Sequence, residues 1–247
     1  MARRAVGRRK EEAMSVTGPL LAEELEALSP GALVDHLLAE NGKGAACITC
    51  SFQAEDMVVL DLLRKRLPKI PVLFLDTGYH FSETYAYRDR MAQSWDLNLQ
   101  NLAAKQSVAE QEAQFGILNR TDPGRCCHLR KVEPLFVALE KFEIWFTGLR
   151  REQSPTRKNL KIVEHHELPS GKVLLKVSPL AAWTWDQVWD YTSENKIDHL
   201  PLYDFGYLSI GCEPCTAIPV AGADPRSGRW GGRKLECGIH TESKQTE

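Results

Sequence analysis

The strongest constraint on this chain is a repeated alternation in which a short apolar run is followed by a turn and then by a stretch of helical periodicity. Ala45 to Ser51 is one such run, and Glu55 to Leu67 follows with Met57, Val58, Leu60, Leu62 and Leu63 at helical spacing. Pro71 to Leu75 repeats the pattern as a buried strand ending in Asp76-Thr77-Gly78, ahead of a helix over Ser82 to Trp95. Further strands fit Leu97 to Leu102 and Glu143 to Thr147. Strands alternating with helices predict an α/β fold: a parallel twisted sheet joined by right-handed crossovers, with helices on both faces. Ligands in such sheets sit at the carboxyl ends of the strands. The loops after Ser51, Leu75 and Thr147 are therefore expected to converge on one site.

The flanks read differently. Gly18 to Asn41 has apolar residues at helical spacing and a break at Pro30-Gly31, which fits two short helices. Trp183 to Asn195 reads as an amphipathic helix with Trp185, Val188, Trp189 and Thr192 on one face, a spacing that belongs to core packing rather than to a cofactor site. From Ile197 onward Gly and Pro become frequent and periodicity fades, giving a loop-rich C-terminal tail. The expected division is a disordered N-terminal tail over 1–17, an α/β body over 18–229, and a mobile segment over 230–247. Met14 is an alternative start, and Arg3-Arg4 and Arg8-Arg9 lead into Lys10-Glu11-Glu12 where a signal peptide would need apolar residues.

With 31 basic and 33 acidic residues, no overall positive field draws the chain to nucleic acid or an anionic membrane. No run approaches the roughly 18 apolar residues of a membrane span. A soluble cytoplasmic protein is expected, and a homo-oligomer is compatible with it.

Seven cysteines without a secretion signal favour metal binding or catalysis over disulfides. Cys126-Cys127 and the C-x2-C pair Cys212-Cys215 offer four thiolates, which on spacing alone suit zinc or a four-iron cluster. The vicinal pair is less usual for zinc. Cys47 and Cys50 fall in a predicted strand, where residues three apart face opposite ways, and read as core thiols. Cys237 stands alone in Glu236-Cys237-Gly238-Ile239-His240. Gly231, Gly232 and Gly238 would let this segment move, and Arg233, Lys234 and His240 nearby favour a thiolate. Such a cysteine is either a nucleophile carried to its substrate or an incidental exposed thiol.

Two loops suit anions. The segment from Gly148 to Lys158 carries Arg150, Arg151 and Arg157 just beyond a strand, a plausible oxyanion clamp or a solvated basic loop. Ser51-Phe52-Gln53-Ala54-Glu55-Asp56 opens a helix, where backbone N–H groups receive anions, but it lacks the glycines and lysine of a Walker loop.

Together these segments resemble the phosphoadenylyl/adenylyl-sulfate reductase family, a branch of the PP-loop, adenine nucleotide alpha hydrolase-like fold. The likeness runs from about Ala45 to His240. It is carried by Ser51 to Asp56, Leu75-Asp76-Thr77-Gly78, Cys126-Cys127 with Arg130 to Leu135, the arginine loop, Cys212 to Cys215 and the Glu236 to His240 tail. The resemblance implies that Cys237 is the nucleophile, and that Cys126, Cys127, Cys212 and Cys215 hold a 4Fe-4S cluster. It implies that Ser51, Glu55, Asp56, Leu75, Asp76, Thr77, Gly78, Lys131, Arg150, Arg151, Arg157 and His240 surround the nucleotide, with Lys131 between cluster and sulfate. Members with both cysteine pairs typically prefer adenosine 5′-phosphosulfate over its 3′-phosphorylated form, and thioredoxin or glutaredoxin supplies the reducing thiol. Phe52-Gln53 and Tyr79-His80 depart from the common pattern. An ATP-using PP-loop sulfurtransferase is a rival, but it usually carries SGGxDS where this chain reads SFQAED. A cluster- or zinc-bearing binding protein with an incidental Cys237 is the rival outside catalysis.

Overall fold

The computed structural model describes residues 22–41, 46–234 and 236–240. The expected N-terminal tail, the alternative start at Met14 and the last seven residues lie outside them. Two short helices, α1 (Ala22–Ala27) and α2 (Pro30–Asn41), part at Pro30 as the sequence predicts. Strand β1 (Ala46–Thr49) leads to α3 (Ala54–Arg64), β2 (Pro71–Asp76) to α4 (Ser82–Ser94), and β3 (Asn98–Ala103) to α5 (Val108–Phe115). Three short helical turns, α6 (Leu118–Thr121), α7 (Pro123–Cys127) and α8 (Glu133–Leu139), precede β4 (Ile144–Phe146), and a π turn over His128–Val132 joins the last two. A hairpin of β5 (Val163–Glu167) and β6 (Val173–Val177) is followed by α9 (Trp185–Glu194).

The six strands form one sheet in the order β3-β2-β1-β4-β6-β5. Neighbours pair parallel except β5 with β6, which are antiparallel, so the expected all-parallel sheet is corrected at this edge. The hairpin escapes an apolar-run reading because β5 is an edge strand of sequence VEHHE, polar on its open side. In β6, Lys176 interrupts the apolar run yet is fully buried, its ammonium 2.7 Å from Glu164 across the pair.

Side chains alternate between the two faces with the period of a strand. Ile48, Val72, Phe74, Ile144 and Phe146 join the larger core with residues of α2, α3, α4 and α9. Cys47, Leu73 and Trp145 point the other way, against Leu135 and Leu139 of α8 and Ile239 of the tail. Cys50 lies in the first cluster and Cys47 in the second, so the two thiols are core residues on opposite faces, as their spacing predicts. The chain leaves β1 for β2 on one side and reaches β4 on the other, and this reversal opens a crevice at the carboxyl ends of β1 and β4.

Candidate active site

A cavity of about 480 Å³ fills that crevice. Ser51, Glu55 and Asp56 border it from the β1 loop, Leu75 from the end of β2, and Gly148, Arg150 and Arg157 from the loop after β4. Lys131 reaches it from the π turn, and Arg226, Arg229, Cys237 and His240 from the chain's end. The loops after β1 and β4 converge on it as expected, and the loop after β2 reaches it only at Leu75 and His80.

The β1 loop is closed by its own side chains. Asp56 accepts from the Ser51 backbone N–H at 2.7 Å and from its hydroxyl at 2.6 Å, while the N–H of Ala54 donates to the Tyr203 hydroxyl. Two of the loop's N–H groups, those of Ser51 and Ala54, are thus spent inside the protein. Phe52 takes a left-handed φ of 61° and packs its ring edge-on to Phe74 and Tyr87. The departure at Phe52 is thus a core residue turned inward. Gln53, the other, accepts from the N–H of Ile210 and donates to Ser51, tying the loop to the segment before Cys212. Gly148 has to be glycine: a Cβ would stand 2.3 Å from an Asp56 carboxylate oxygen.

Burial pushes the Asp56 carboxyl from 3.8 to about 6, although hydrogen bonds from Ser51 oppose it. A carboxyl raised in the folded state favours folding where it is protonated, so this contribution is full below pH 3.8 and is lost as pH rises through about 6. Asp56→Asn is therefore expected to gain stability relative to wild type between pH 4 and 7.5, by on the order of 3 kcal/mol. Parallel urea titrations at the two pH values read it, and a constant difference would refute the assignment.

The Asp76-Thr77-Gly78 turn lies outside the cavity lining. Asp76 accepts from the Tyr85 hydroxyl at 2.7 Å and the Gly78 N–H at 3.1 Å. Thr77 is fully buried, its hydroxyl 3.3 Å from the Cys212 sulfur and its carbonyl bound by Arg130. Gly78 has φ 70°, and a Cβ there would meet Val108 at 2.7 Å. These residues, expected around the nucleotide, brace the turn that carries Tyr79 and His80 toward the cysteines. His80 does border the cavity. Burial, with Lys131 nearby, lowers its pKa to about 4, and its Nε2 is 2.8 Å from the Leu75 carbonyl.

Among the arginines, Arg150 is a brace rather than a free clamp. It donates to Glu55 at 2.9 and 3.2 Å and to Glu152 at 2.7 Å, with its guanidinium 5.4 Å above the Trp185 ring. Trp185, read as core alone, is part of the cavity wall. Arg151 turns away, bound to Glu26 of α1 and to the Leu160 carbonyl, and does not border the cavity.

The four paired cysteines, all buried, line one small cavity between α7 and the turn Glu213–Cys215. Burial and then the neighbouring thiols push Cys126 up to about 11 and raise Cys215. Lys131 and Arg229 border both cavities. Burial opposes the charge of Lys131, but the facing sulfurs of Cys212, Cys127 and Cys237 outweigh it and hold its pKa above normal. Asn119, also on this wall, is buried with its Oδ1 unpartnered. Among the described residues no three His, Cys, Asp or Glu side chains close on one point as ligands of a single ion do. Soft thiolates flanked by cations suit a negatively charged, thiolate-held metal group.

Cys237 is half-buried and packs against both the cysteine cluster and the second core. Ile239 is 9% exposed within that core, and His240 stacks on Trp145 with ring centroids 5.5 Å apart and planes at 17°. The cations beside Cys237 are Lys131, Arg226 and Arg229. Arg233 and Lys234 instead donate to the carbonyls of Arg120 and Pro123. Burial and nearby Lys176 hold His240 well below its usual pKa, so it is a neutral anchor and not the expected source of positive charge. Arg226 and Arg229 were missed because they sit where periodicity has faded. The signal available was basic residues among glycines next to Trp230, in the tail that also holds Cys237.

Comparison with known proteins places the chain in a family. The phosphoadenosine phosphosulfate reductase domain signature matches residues 45–218. An adenosine 5′-phosphosulfate reductase of Streptomyces coelicolor is 44% identical over 230 residues, 88% of this chain and 95% of that protein. A phosphoadenosine 5′-phosphosulfate reductase of Gloeobacter violaceus is 43% identical over 225 residues, 89% of this chain and 92% of the relative. The crystal structure of phosphoadenylyl-sulfate reductase from Candida auris superposes with a TM-score of 0.65 at 27% identity, covering 78% of this chain and 92% of the other. Candida glabrata FMN adenylyltransferase shares the fold alone, with a TM-score of 0.56 at 14% identity, 90% of this chain and 77% of that one. The chain belongs to the phosphoadenosine phosphosulfate reductase domain family.

Proposed function

We propose that the protein reduces adenosine 5′-phosphosulfate to sulfite and AMP, through a sulfuryl group carried on Cys237 and discharged by thioredoxin or glutaredoxin, as a step of sulfate assimilation toward cysteine. The observation that carries the reading is Cys237 on the wall of a nucleotide-sized cavity, with Lys131, Arg226 and Arg229 beside it.

The Cys237 thiolate attacks the sulfate sulfur, a sulfur–sulfur bond forms, and the bond from sulfur to the phosphate oxygen breaks with its electrons leaving on AMP. Lys131, Arg226 and Arg229 offset the charge on the sulfuryl and phosphate oxygens during this step. Leu75 and the β1 loop hold the adenosine end, and Arg150, fixed by Glu55 and Glu152, shapes the cavity between. A thiolate of the dithiol protein then attacks Cys237, sulfite leaves, and the second thiol resolves the mixed disulfide. Two electrons thus pass from the dithiol to sulfur.

Cys126, Cys127, Cys212 and Cys215 would hold the 4Fe-4S cluster that the donor set suits. When bound, it supplies a compact negative charge on the far side of Lys131 and Arg229.

Adenosine 5′-phosphosulfate is favoured by the names of the Streptomyces coelicolor relative and of one from Mycobacterium tuberculosis, 46% identical over 198 residues. The Gloeobacter violaceus relative favours the 3′-phosphorylated nucleotide as a second reading. Sulfite release with thioredoxin, measured for both nucleotides, should give the higher kcat/KM for adenosine 5′-phosphosulfate. The reverse ratio would move the assignment to the second reading, and no sulfite from either would end both.

A further inference from the structure

Arg157 is one of three arginines in the loop after β4, and its fork is already filled. Its Nε and Nη2 donate to the two carboxylate oxygens of Glu236 at 2.9 and 2.7 Å, and its Nη1 donates to Gln153. Glu236 also accepts from the Thr156 hydroxyl at 2.8 Å and from Arg226 at 3.5 Å. Both partners are largely sequestered, with the Arg157 side chain 10% and that of Glu236 13% exposed. The turn bearing Arg157 is itself fixed, because Gln153 donates to Glu55 at 2.9 Å and Ser154 caps the next turn.

The paired Nε and Nη2 edge is the one that would grip a phosphate or sulfate bidentately. Cys237 follows Glu236 directly, and with Glu236 held by Arg157 it borders the nucleotide-sized cavity. In the reacting state, therefore, the fork is held by the tail's carboxylate, and an anion taking it would expel the tail and withdraw the nucleophile. We propose, resting on the reductase reading above, that Arg157 is a positioning residue which receives the tail through Glu236 and places Cys237, rather than a clamp on the nucleotide.

The test is a double-mutant cycle on the full chain with Glu236→Gln, Arg157→Ala and the double variant. Release of AMP from adenosine 5′-phosphosulfate without thiol is followed in single turnover. Each single variant should lower the maximal burst rate roughly 100-fold and leave the half-saturating nucleotide concentration where it is. The double variant should be no slower than either single. Without nucleotide, both single variants should also be cut faster by trypsin at Arg233 and Lys234. A raised half-saturating concentration in Arg157→Ala, or effects that multiply in the double variant, would return Arg157 to the nucleotide and overturn the proposal. If wild type gives no burst, the reductase reading fails instead, and the trypsin comparison still decides whether Glu236 and Arg157 latch the tail.

Discussion

Replacement of Cys237 by Ser is expected to abolish the burst of AMP that wild-type protein gives when mixed with adenosine 5′-phosphosulfate in the absence of any thiol. Wild type should release one AMP per active site and then stop, with a mass increase of one SO3 on Cys237, since nothing is present to remove the group. Serine keeps the size of the side chain and its place between the two clusters, but an alkoxide is scarcely formed at neutral pH. Removing a covalent nucleophile of this kind costs on the order of 10⁶ in rate. The variant should keep its metal, because Cys237 is half-buried beside the cysteine quartet and is not one of the four that ring its cavity. A surviving burst, or the added mass on Cys47 or Cys50, would place the chemistry elsewhere.

Cys127→Ser should have the second large effect, on metal content. Anaerobically purified wild type is expected to carry about four irons per chain, and the variant close to none. Cys127 ends α7, immediately before the π turn that carries Lys131, while Cys212 and Cys215 bracket a turn on the far side of the cavity. A group held by all four joins these segments, and Trp230 at the root of the tail packs on the same cluster. Loss of metal should therefore also raise proteolysis around Trp230. Iron retained in the variant, or stoichiometric zinc without iron in wild type, would exclude the four-iron assignment.

The core strands β1, β2 and β4 were legible because burial on both faces leaves continuous apolar runs bounded by turns. The β5–β6 hairpin was not, since an edge strand exposes His165 and Glu167, and Lys176 hides its burial behind a charge that only Glu164 across the ladder explains. At the site, the cysteines were legible from spacing, and their meeting in one cavity is what that spacing permits. Of the three loop arginines, Arg150 and Arg157 border the cavity as expected and Arg151 does not. A sequence reports that Arg150, Arg151 and Arg157 are neighbours, but not that Glu55, Glu26 and Glu236, each far away along the chain, have taken their guanidinium groups. Arg226 and Arg229, flagged in the sequence only by their place among glycines next to Trp230, gain their weight from the fold, which sets them on the cavity at the end of β1.

On the reading proposed above, the seating of Ile239 beside Cys47, Leu73 and Trp145 would make the segment that carries Cys237 a removable part of the protein's own interior. Discharge by an outside thiol would then call for a partial release of this segment, because Cys237 is half-buried between two packed clusters. Burying an isoleucine contributes roughly 1.5–3 kcal/mol, which by itself would leave the released form at about one molecule in 10 to 150. That ratio is a compromise between water exclusion during attack and the speed of regeneration. A bulkier or better-fitting residue at 239 would tighten the seal and slow turnover, and a smaller one would free the tail and waste encounters with substrate.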